Sequence, residues 1–391
     1  MTAARLALAS ILLIPLVAQA TVPGLAPQKN WDLGGYIKYM ATGTIADEGE
    51  NGLDHLLHQR FNFEYRFSDS LRVNAGMRNR VLAGDTAELP GFGGLVGRDD
   101  GYLDLTHNWI DKSGLVGTTT FDRLYLDWQD NDWQLRGGRF RINWAMATLW
   151  NPNDLFNSYS IYDFDYEERP GSDAVLVSRK LGFASQLDLV YNPARESEFT
   201  SYAGRYLFNR KGWDGQILVG KSGLDAVIGV GMAGDIGGAG VRGEVSRFEP
   251  TRDSWQEVPL EAATVATLES DYSFVSRRNW MVRGALLYIS NPQEPDSALA
   301  FLNLPLTART LSFTRWSGYG DVSADLTALT RLTLSATAYD DGSYFVGLNA
   351  SHSLADDWQL LGVVQRFDGS SDSLFGETPA TLLFGQIRWN F

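Results

Sequence analysis

The chain has 391 residues, no cysteine, 40 glycines, 13 prolines and a formal net charge of −14. This acidic balance argues against nucleic acid as a partner, which needs a basic footprint, and the lack of cysteine excludes a disulfide scaffold. Glycine does not recur at every third position, which excludes a collagen-like chain, so the composition is that of an aromatic, glycine-rich β protein.

The N-terminal residues have the pattern of a secretory signal peptide. Arg5 supplies a positive charge, residues 6–17 form an apolar stretch, and residues 18–20 match an A-x-A cleavage site. No cysteine follows this site, which argues against a lipoprotein signal. We therefore expect residues 1–20 to be removed and residues 21–391 to form a single domain.

From residue 31 onwards, apolar and polar residues alternate in segments that recur about every 20 residues, which is the period-2 signature of strands. Segment 59–67 places aromatic residues on one face, and a soluble β-sandwich could bury that face. Along this segment and the next, 71–82, arginines occupy the opposite face: Arg60, Arg66, Arg72, Arg78 and Arg80. We predict that they face the water-filled lumen of a membrane barrel, although exposure on an ordinary surface is the alternative.

The fold predicted from this alternation is an all-β, closed antiparallel transmembrane barrel of about 18 strands, with 16–18 compatible, since an even number allows closure. Residues 84–118 are interpreted as a long outer loop, although weak alternation at 102–108 leaves open an extra strand pair. The predicted strands are residues 31–42, 57–67, 71–82, 119–129, 133–144, 173–180, 183–192, 199–209, 213–220, 224–234, 238–248, 262–275, 280–290, 310–328, 331–340, 344–353, 358–367 and 381–391.

The connections between these strands divide into two sets. Tight turns at one end are expected to be periplasmic, and long loops at the other extracellular. Short connections around Lys221 and Asp341 on the outer side are exceptions. The long loops are predicted at residues 145–170, 249–261, 291–308 and 368–380.

Aromatic residues at the tight-turn end predict a girdle at the membrane interface, where indole rings prefer to lie. The alternative is ordinary tryptophan in the core of a sandwich, but core residues would not keep to one end. The predicted girdle consists of Trp128, Trp133, Trp280, Trp358, Trp389 and Phe391. A terminal phenylalanine on an alternating strand resembles the C-terminal signature of outer-membrane barrels, which implies recognition of Phe391 by the barrel assembly machinery.

Residues 121–172 carry the main functional hypothesis. Alternation slips at Gly137 and Gly138, which predicts a β-bulge and places Arg136, Arg139 and Arg141 on one polar wall. We predict that the long loop 145–170 folds into the lumen and that its acids face this wall across a pore constriction. The loop acids assigned to it are Asp154, Asp163, Asp165, Glu167 and Glu168. A strictly extracellular loop, or salt bridges that only pin the loop, are the alternatives.

The segment LYLDWQDNDWQLRGGRFRINW, followed by NPNDLF and DFDYEERPGSDA, resembles a family of poorly characterised porin-like outer-membrane proteins. Weaker similarity extends to the C-terminus through TLSFTRWSGYG and LSATAYDDGS. The layout of a strand pair followed by a long loop is also similar to that of general porins, in which the loop folds into the lumen and its acids face arginines. The resemblance implies a barrel in the outer membrane of a Gram-negative bacterium, and says little about the substrate.

Other chemistry was weighed and set aside. Asp163, Asp165 and Glu167 alternate hard oxygens that suit calcium, but the spacing and glycine of an EF-hand loop are missing. Ser351 and His352 are adjacent on a strand and point to opposite faces, so they cannot act as a pair. None of the histidines lies in a recognisable triad spacing: His55, His58, His107 and His352. We therefore predict no metal site, no cofactor and no enzyme activity.

The function that these patterns favour is a channel for passive diffusion of small polar or charged solutes. A barrel that transports or exports hydrophobic compounds would want an apolar lumen, whereas the predicted inward faces are rich in arginine. An outer-membrane enzyme or a purely structural barrel is the third alternative. Outer-membrane lipid and lipopolysaccharide would surround the barrel, and the sequence leaves a homo-oligomer open.

Overall fold

Long strands that alternate between two faces make up nearly all of the regular structure in this computed structural model. The structure describes residues 29–47, 49–158, 160–162, 165, 169, 171–293, 295, 297–298, 301 and 306–391. The predicted signal peptide at 1–20 lies outside the described residues. Within them, no helix is long and apolar enough to cross a membrane.

The regular elements of the described chain are as follows. Two short helices, α1 (Asp85–Glu88) and α2 (Phe92–Val96), and a 3₁₀ turn at Ser197–Phe199 lie in loops. The strands are β1 (Trp31–Ala46), β2 (Gly52–Arg66), β3 (Leu71–Gly84), β4 (Thr106–Lys112), β5 (Leu115–Asp130), β6 (Trp133–Phe140), β7 (Ser172–Gly182), β8 (Ser185–Asn192), β9 (Ser201–Arg210), β10 (Trp213–Ser222), β11 (Asp225–Ile236), β12 (Ala239–Pro250), β13 (Ser254–Trp255), β14 (Val258–Pro259), β15 (Ala263–Ser273), β16 (Met281–Ile289), β17 (Trp316–Thr327), β18 (Thr330–Tyr339), β19 (Ser343–Ala355), β20 (Trp358–Gly369) and β21 (Ala380–Asn390).

The main sheet closes on itself. β1 pairs with β2 on one side and with β21 on the other, from Tyr36 opposite Asn390 to Ala46 opposite Ala380. The sheet has 19 strands, of which β4 is a side branch on β5, so 18 antiparallel strands of the described chain form the closed ring. The predicted 18-strand barrel is confirmed and the soluble sandwich is excluded, because a closed ring has no free edges.

Residues 84–118 are more than the outer loop that we expected. β4 pairs with the outer half of β5, from Thr106 opposite Thr120 to Lys112 opposite Leu115. β6 pairs only with the inner half, so β4 takes the place that an outward extension of β6 would have. The region therefore adds one strand, paired with β5 alone, rather than the strand pair that the sequence left open.

Two predicted strands are shorter than expected. The wall strand β6 ends at Phe140 rather than at residue 144, and β17 begins at Trp316 rather than at residue 310. In both places the chain leaves the wall with apolar side chains such as Trp144 and Leu311, which are buried. Apolar residues continue beyond the wall because they pack inside the barrel, and the sequence alone does not distinguish this from lipid contact.

Short turns join the strands at the end where the C-terminus lies. Gly237 and Gly238, between β11 and β12, both have positive φ (63° and 88°), the conformation that a two-residue hairpin turn of type I′ requires. Phe391 exchanges two backbone hydrogen bonds of 3.0 Å with Gly35 and so extends the seam between β21 and β1. The six residues of the proposed girdle lie at this end, and their contact with the membrane interface stays a prediction.

Candidate functional site

The connection between β6 and β7 folds into the barrel. We call residues 141–171 the infolded loop. Its side chains Ile142, Trp144, Leu149 and Trp150 are buried, and they belong to one apolar cluster with inward-facing residues of β8–β16 such as Leu287. An extracellular loop would leave these large apolar groups in water, so the prediction of a loop folded into the lumen is confirmed.

Glu244, on the inward face of β12, holds the loop through its backbone. One of its oxygens, Oε1, accepts hydrogen bonds from the N–H groups of Met146 and Ala147, the latter at 2.9 Å. The other, Oε2, accepts from the N–H of Asn153 at 3.0 Å. The carboxyl group is 1% exposed, so three loop N–H groups satisfy acceptor oxygens that water does not reach.

Glu269, on the neighbouring strand β15, repeats this arrangement one step along the loop. Its Oε2 accepts from the N–H groups of Thr148 and Leu149 at 2.8 and 3.0 Å, and its Oε1 accepts from the Thr148 hydroxyl at 2.7 Å. Two arginines flank Glu269 and Thr148. Arg242 donates to Glu269 Oε1, and Arg283 donates to the Thr148 hydroxyl at 2.8 Å. The irregular backbone of the loop is therefore hydrogen-bonded to the wall, as buried backbone must be.

Asn153 seats the far end of the anchored segment. Its Nδ2 donates to the carbonyl of Val230 at 3.0 Å, and its Oδ1 accepts from the Ser246 hydroxyl at 2.7 Å. A Cβ atom built on Gly229 would lie 2.5 Å from the Asn153 side chain, and one on Gly231 would lie 2.9 Å away. Glycine at these two positions makes the notch that the asparagine fills.

The wall formed by β21, β1, β2, β3 and β5 faces the lumen with basic side chains. Arg60 forms a bidentate pair with Asp122 at 2.5 and 2.9 Å, and both side chains are almost fully buried. Lys38, which is 2% exposed, pairs with Asp165 of the infolded loop. We call this surface the basic wall, and its cationic residues are Lys38, Arg60, Arg78, Arg80, Arg123 and Arg388.

The basic wall carries more positive charge than its carboxylates balance. Arg78 and Arg123 form no ion pair with another described residue, and Arg388 stacks over the Tyr36 ring at 4.1 Å. At the inner end, Arg66 and Arg72 lie near Glu64, at 2.6 and 3.8 Å. The potential along this face is therefore positive in its middle and outer parts and nearly balanced at the inner end.

The predicted constriction residues are dispersed. Arg136 pairs with Asp127 on β5 at 2.9 Å, on the same sheet. Arg139 lies in a buried cluster with Asp99 and Asp173, at 2.7 and 2.8 Å, which lines the larger of the two cavities described below. The predicted bulge is wrong, because β6 runs in unbroken register with β5 and β7.

Of the loop acids assigned to the constriction, some lie among the described residues and others do not. Asp154 is fully buried, and burial raises its pKa to about 6 against the opposing charge of Arg141. Asp165 meets Lys38, a residue that the sequence argument did not single out. Three acids of the predicted set lie outside the described residues: Asp163, Glu167 and Glu168. The acidic run at 163–167, which the sequence analysis did not assign as a metal site, lies mostly outside them as well.

Two cavities lie along the basic wall. The larger, about 1030 Å³, opens toward the outer strand ends and is lined by Arg78, Arg80 and Asp165 among others. The smaller, about 330 Å³, lies near the inner strand ends and includes Arg123 and Glu64. Lys38 of β1 and Arg60 of β2 lie at the level between the two cavities.

The sequence analysis named some of the residues that line the larger cavity, such as Arg78 and Arg80, and did not name others. The five arginines assigned to the lumen all lie on the inward faces of β2 and β3, and Arg78 and Arg80 line the larger cavity. Lys38, Glu244 and Glu269 were missed. Each occupies a polar position in the alternation of a predicted strand, and this position is the feature of the sequence that could have identified it as facing the lumen.

No family model matches the sequence, and no curated protein matches it. Solved structures match along almost the whole chain. Acinetobacter baumannii OccAB4 is 7% identical, with a TM-score of 0.60 over 93% of this chain and 98% of that one. Pseudomonas aeruginosa OccK11 (OpdR) is 8% identical, with a TM-score of 0.58 over 92% and 96%. The outer membrane protein OpdK of Pseudomonas aeruginosa is 7% identical, with a TM-score of 0.57 over 92% and 99%. The likeness shows the fold, a closed barrel of the kind that spans bacterial outer membranes.

Proposed function

We propose that this barrel is a passive channel for small polar or charged solutes, and that it prefers anions. The observation that carries the proposal is the basic wall opposite the infolded loop, where Arg78 and Arg123 form no ion pair with a described carboxylate. Low-dielectric walls focus the field of such charges on a narrow lumen, so permeating anions are concentrated there.

The narrow part of the pathway is assigned to the level of Lys38 and Asp165. At this level a buried cation of β1 meets an acid of the loop, and the Arg60–Asp122 pair lies on the neighbouring strands. A solute that passes from one cavity to the other would lose part of its hydration shell and interact with these charged side chains instead. This set differs from the arginines predicted from the sequence, because Arg136 is paired with Asp127 and Arg139 with Asp99.

The alternatives have less support. A pathway for hydrophobic compounds would need an apolar lumen, whereas the described cavities are lined by arginine and aspartate. Two histidines bond to hydroxyl groups, Tyr39 with His55 at 2.7 Å and Thr330 with His352 at 2.8 Å. Both histidines share a strand face with exposed apolar residues and line neither cavity, so neither pair offers a nucleophile to a solute.

Single-channel recording in planar bilayers with a salt gradient tests this proposal. The wild type is expected to conduct, and the sign of its reversal potential should show that anions are more permeant than cations. The double variant Arg78→Ala/Arg123→Ala should shift the reversal potential toward cations, because it removes two charges that no described acid balances. Arg247→Ala is the matched control, since Arg247 lies on the outward face of β12 and its removal changes the net charge without changing the lumen.

Two results would contradict the proposal. A folded, heat-modifiable barrel that never conducts would remove the channel function. A conducting barrel whose selectivity is the same in the double variant and the control would keep the channel and remove the role of the basic wall.

A further inference from the structure

The larger cavity has an excess of positive charge on the side formed by β3. Two arginines of this strand, Arg78 and Arg80, line the cavity. The carboxylates that line it are each paired with another cation: Asp99 and Asp173 with Arg139, Asp122 with Arg60, Asp165 with Lys38, and Asp100 with Arg98. The described lining is therefore most positive at the two arginines of β3.

Arg78 lies among other cations. It forms no ion pair with another described residue, and directly opposite it on β2 lies Arg60, which pairs with Asp122. Arg80 follows two positions later on the same face of β3, and two residues of a strand span about 6.6 Å. Like charges at such neighbouring positions of a sheet repel each other, so an anion bound between them would relieve the repulsion.

Several polar atoms in this part of the wall have no hydrogen-bond partner. The Nε of Arg78 is buried and bonds to no described residue. In the row of Arg80 lie His58 on β2 and Thr118 on β5, which are 7% and 0% exposed. Neither His58 Nε2 nor Thr118 Oγ1 has a partner within the described chain. Guanidinium groups only donate, and imidazole and hydroxyl groups can also donate, so a ligand rich in acceptors suits this patch.

Two hydroxyl groups and an apolar surface complete the lining. Thr120 lies opposite Arg78, and Thr106 of β4 lies opposite Thr120, with the two Oγ1 atoms 3.2 Å apart. Both threonines line the cavity, and Met40 of β1 and Phe384 of β21 line another side of it. A ligand can therefore place an anionic group at β3 and an organic group against β1 and β21.

We infer that Arg78 and Arg80 bind the phosphoryl group of an anionic solute, an inference that rests on the proposed channel function and names its solute class. A phosphoryl group carries a charge of about −1.5 to −2 at neutral pH and three strong acceptor oxygens. Arginines of one strand and hydroxyls of the next strands approach these oxygens from several sides, whereas a carboxylate offers two oxygens in one plane. The apolar side at Met40 and Phe384 favours an organic phosphate ester over free phosphate.

Isothermal titration calorimetry of the full barrel in detergent at neutral pH tests this inference. The probes are phenyl phosphate, inorganic phosphate and benzoate, which has the ring of phenyl phosphate but carries a carboxylate. The wild type should bind phenyl phosphate more tightly than benzoate. This order is measured without any variant, so it decides the question even where a substitution prevents folding.

The variant Arg78→Gln should bind both phosphate probes about tenfold more weakly or worse, because it removes charge-assisted hydrogen bonds. Arg66→Gln is the matched control. It also removes a lumen arginine, but Arg66 pairs with Glu64 at the inner end and does not line the larger cavity. Its affinity for the phosphate probes should equal that of the wild type.

The two phosphate probes distinguish the sources of the phosphoryl group. Tighter binding of phenyl phosphate than of inorganic phosphate, with the advantage lost in Phe384→Ala, would identify an organic ester. Equal binding of the two would identify free phosphate, and either result supports a phosphoryl site.

Four results would overturn the inference: no binding of either phosphate, benzoate that binds as tightly as phenyl phosphate, unchanged affinity in Arg78→Gln, or an equal loss in Arg66→Gln. The calorimetry does not depend on conduction. An anion-selective channel that binds no phosphate would remove the site alone, whereas a barrel that binds phosphate and never conducts would remove the channel. Failure of the inference is therefore distinguishable from failure of the proposed function.

Discussion

Removing the carboxylate of Glu244 should release the infolded loop from the wall. In Glu244→Ala, three buried backbone N–H groups lose the carboxyl oxygens that accept their hydrogen bonds. Bonds to charged groups contribute about 1.5–3 kcal/mol each, so the upper limit for three is about 5–9 kcal/mol. Water entering the site would offset part of this, and we take about 3 kcal/mol as the net loss. Since 1.4 kcal/mol is a factor of ten, the detached state should become on the order of a hundredfold more populated.

The assay is single-channel recording at high bandwidth. The wild type should show a steady level, whereas Glu244→Ala should flicker between levels and reach a larger maximal conductance as the loop moves. The barrel itself should stay heat-modifiable, because the 18-strand ladder does not depend on the loop. Glu64→Ala is the control, since Glu64 is a lumen glutamate whose ion-pair partners among the described residues are the neighbouring arginines of β2 and β3. Steady wild-type recordings from Glu244→Ala, or equal flicker from the control, would refute the role of the anchor.

Three further predictions concern other parts of the chain. The pKa of Asp154 is raised to about 6, above that of an unfolded aspartate, so the loop should be held best at low pH and loosen as pH rises toward 6. Flicker should be rarer at pH 5 than at pH 7, and Asp154→Asn should reduce the difference. Arg139→Ala leaves two buried aspartates without their cation and should destabilise the barrel by about 3–5 kcal/mol in denaturant titrations, whereas the exposed Arg98→Ala should have almost no effect. Deletion of Phe391 should reduce assembly into the outer membrane, measured as the heat-modifiable fraction, and Phe183→Ala at an exposed inner turn should not.

The barrel could be predicted because its signal is local. Every wall strand separates lipid from the lumen, so apolar and polar residues alternate within a few positions, as in segment 59–67. Turn residues such as Gly237 and Gly238 add a second local signal. Strand number and orientation follow from these two patterns without knowledge of any contact between distant residues.

Strand ends were less predictable, because an apolar residue in the sequence can either face lipid or pack against the infolded loop inside the barrel. Trp144 continues the alternation of β6 but belongs to the infolded loop. The glycine pair at 137 and 138 suggested a bulge, yet the register is unbroken there. A glycine pair permits an irregular backbone without requiring one.

The sequence by itself determined an acidic, cysteine-free barrel with an arginine-rich lumen face and one long loop able to fold inward, because composition and alternation report what each strand faces. Only the tertiary structure decided which charges meet. Lys38 and Asp165 are 127 positions apart, and Glu269 lies 121 positions from Thr148 in the loop that it holds. Such pairs depend on the closure of the ring and the path of the loop, and many acids could meet each cation before the chain folds. Local patterns therefore specify the wall, and the geometry of the closed barrel specifies the charges that line its lumen.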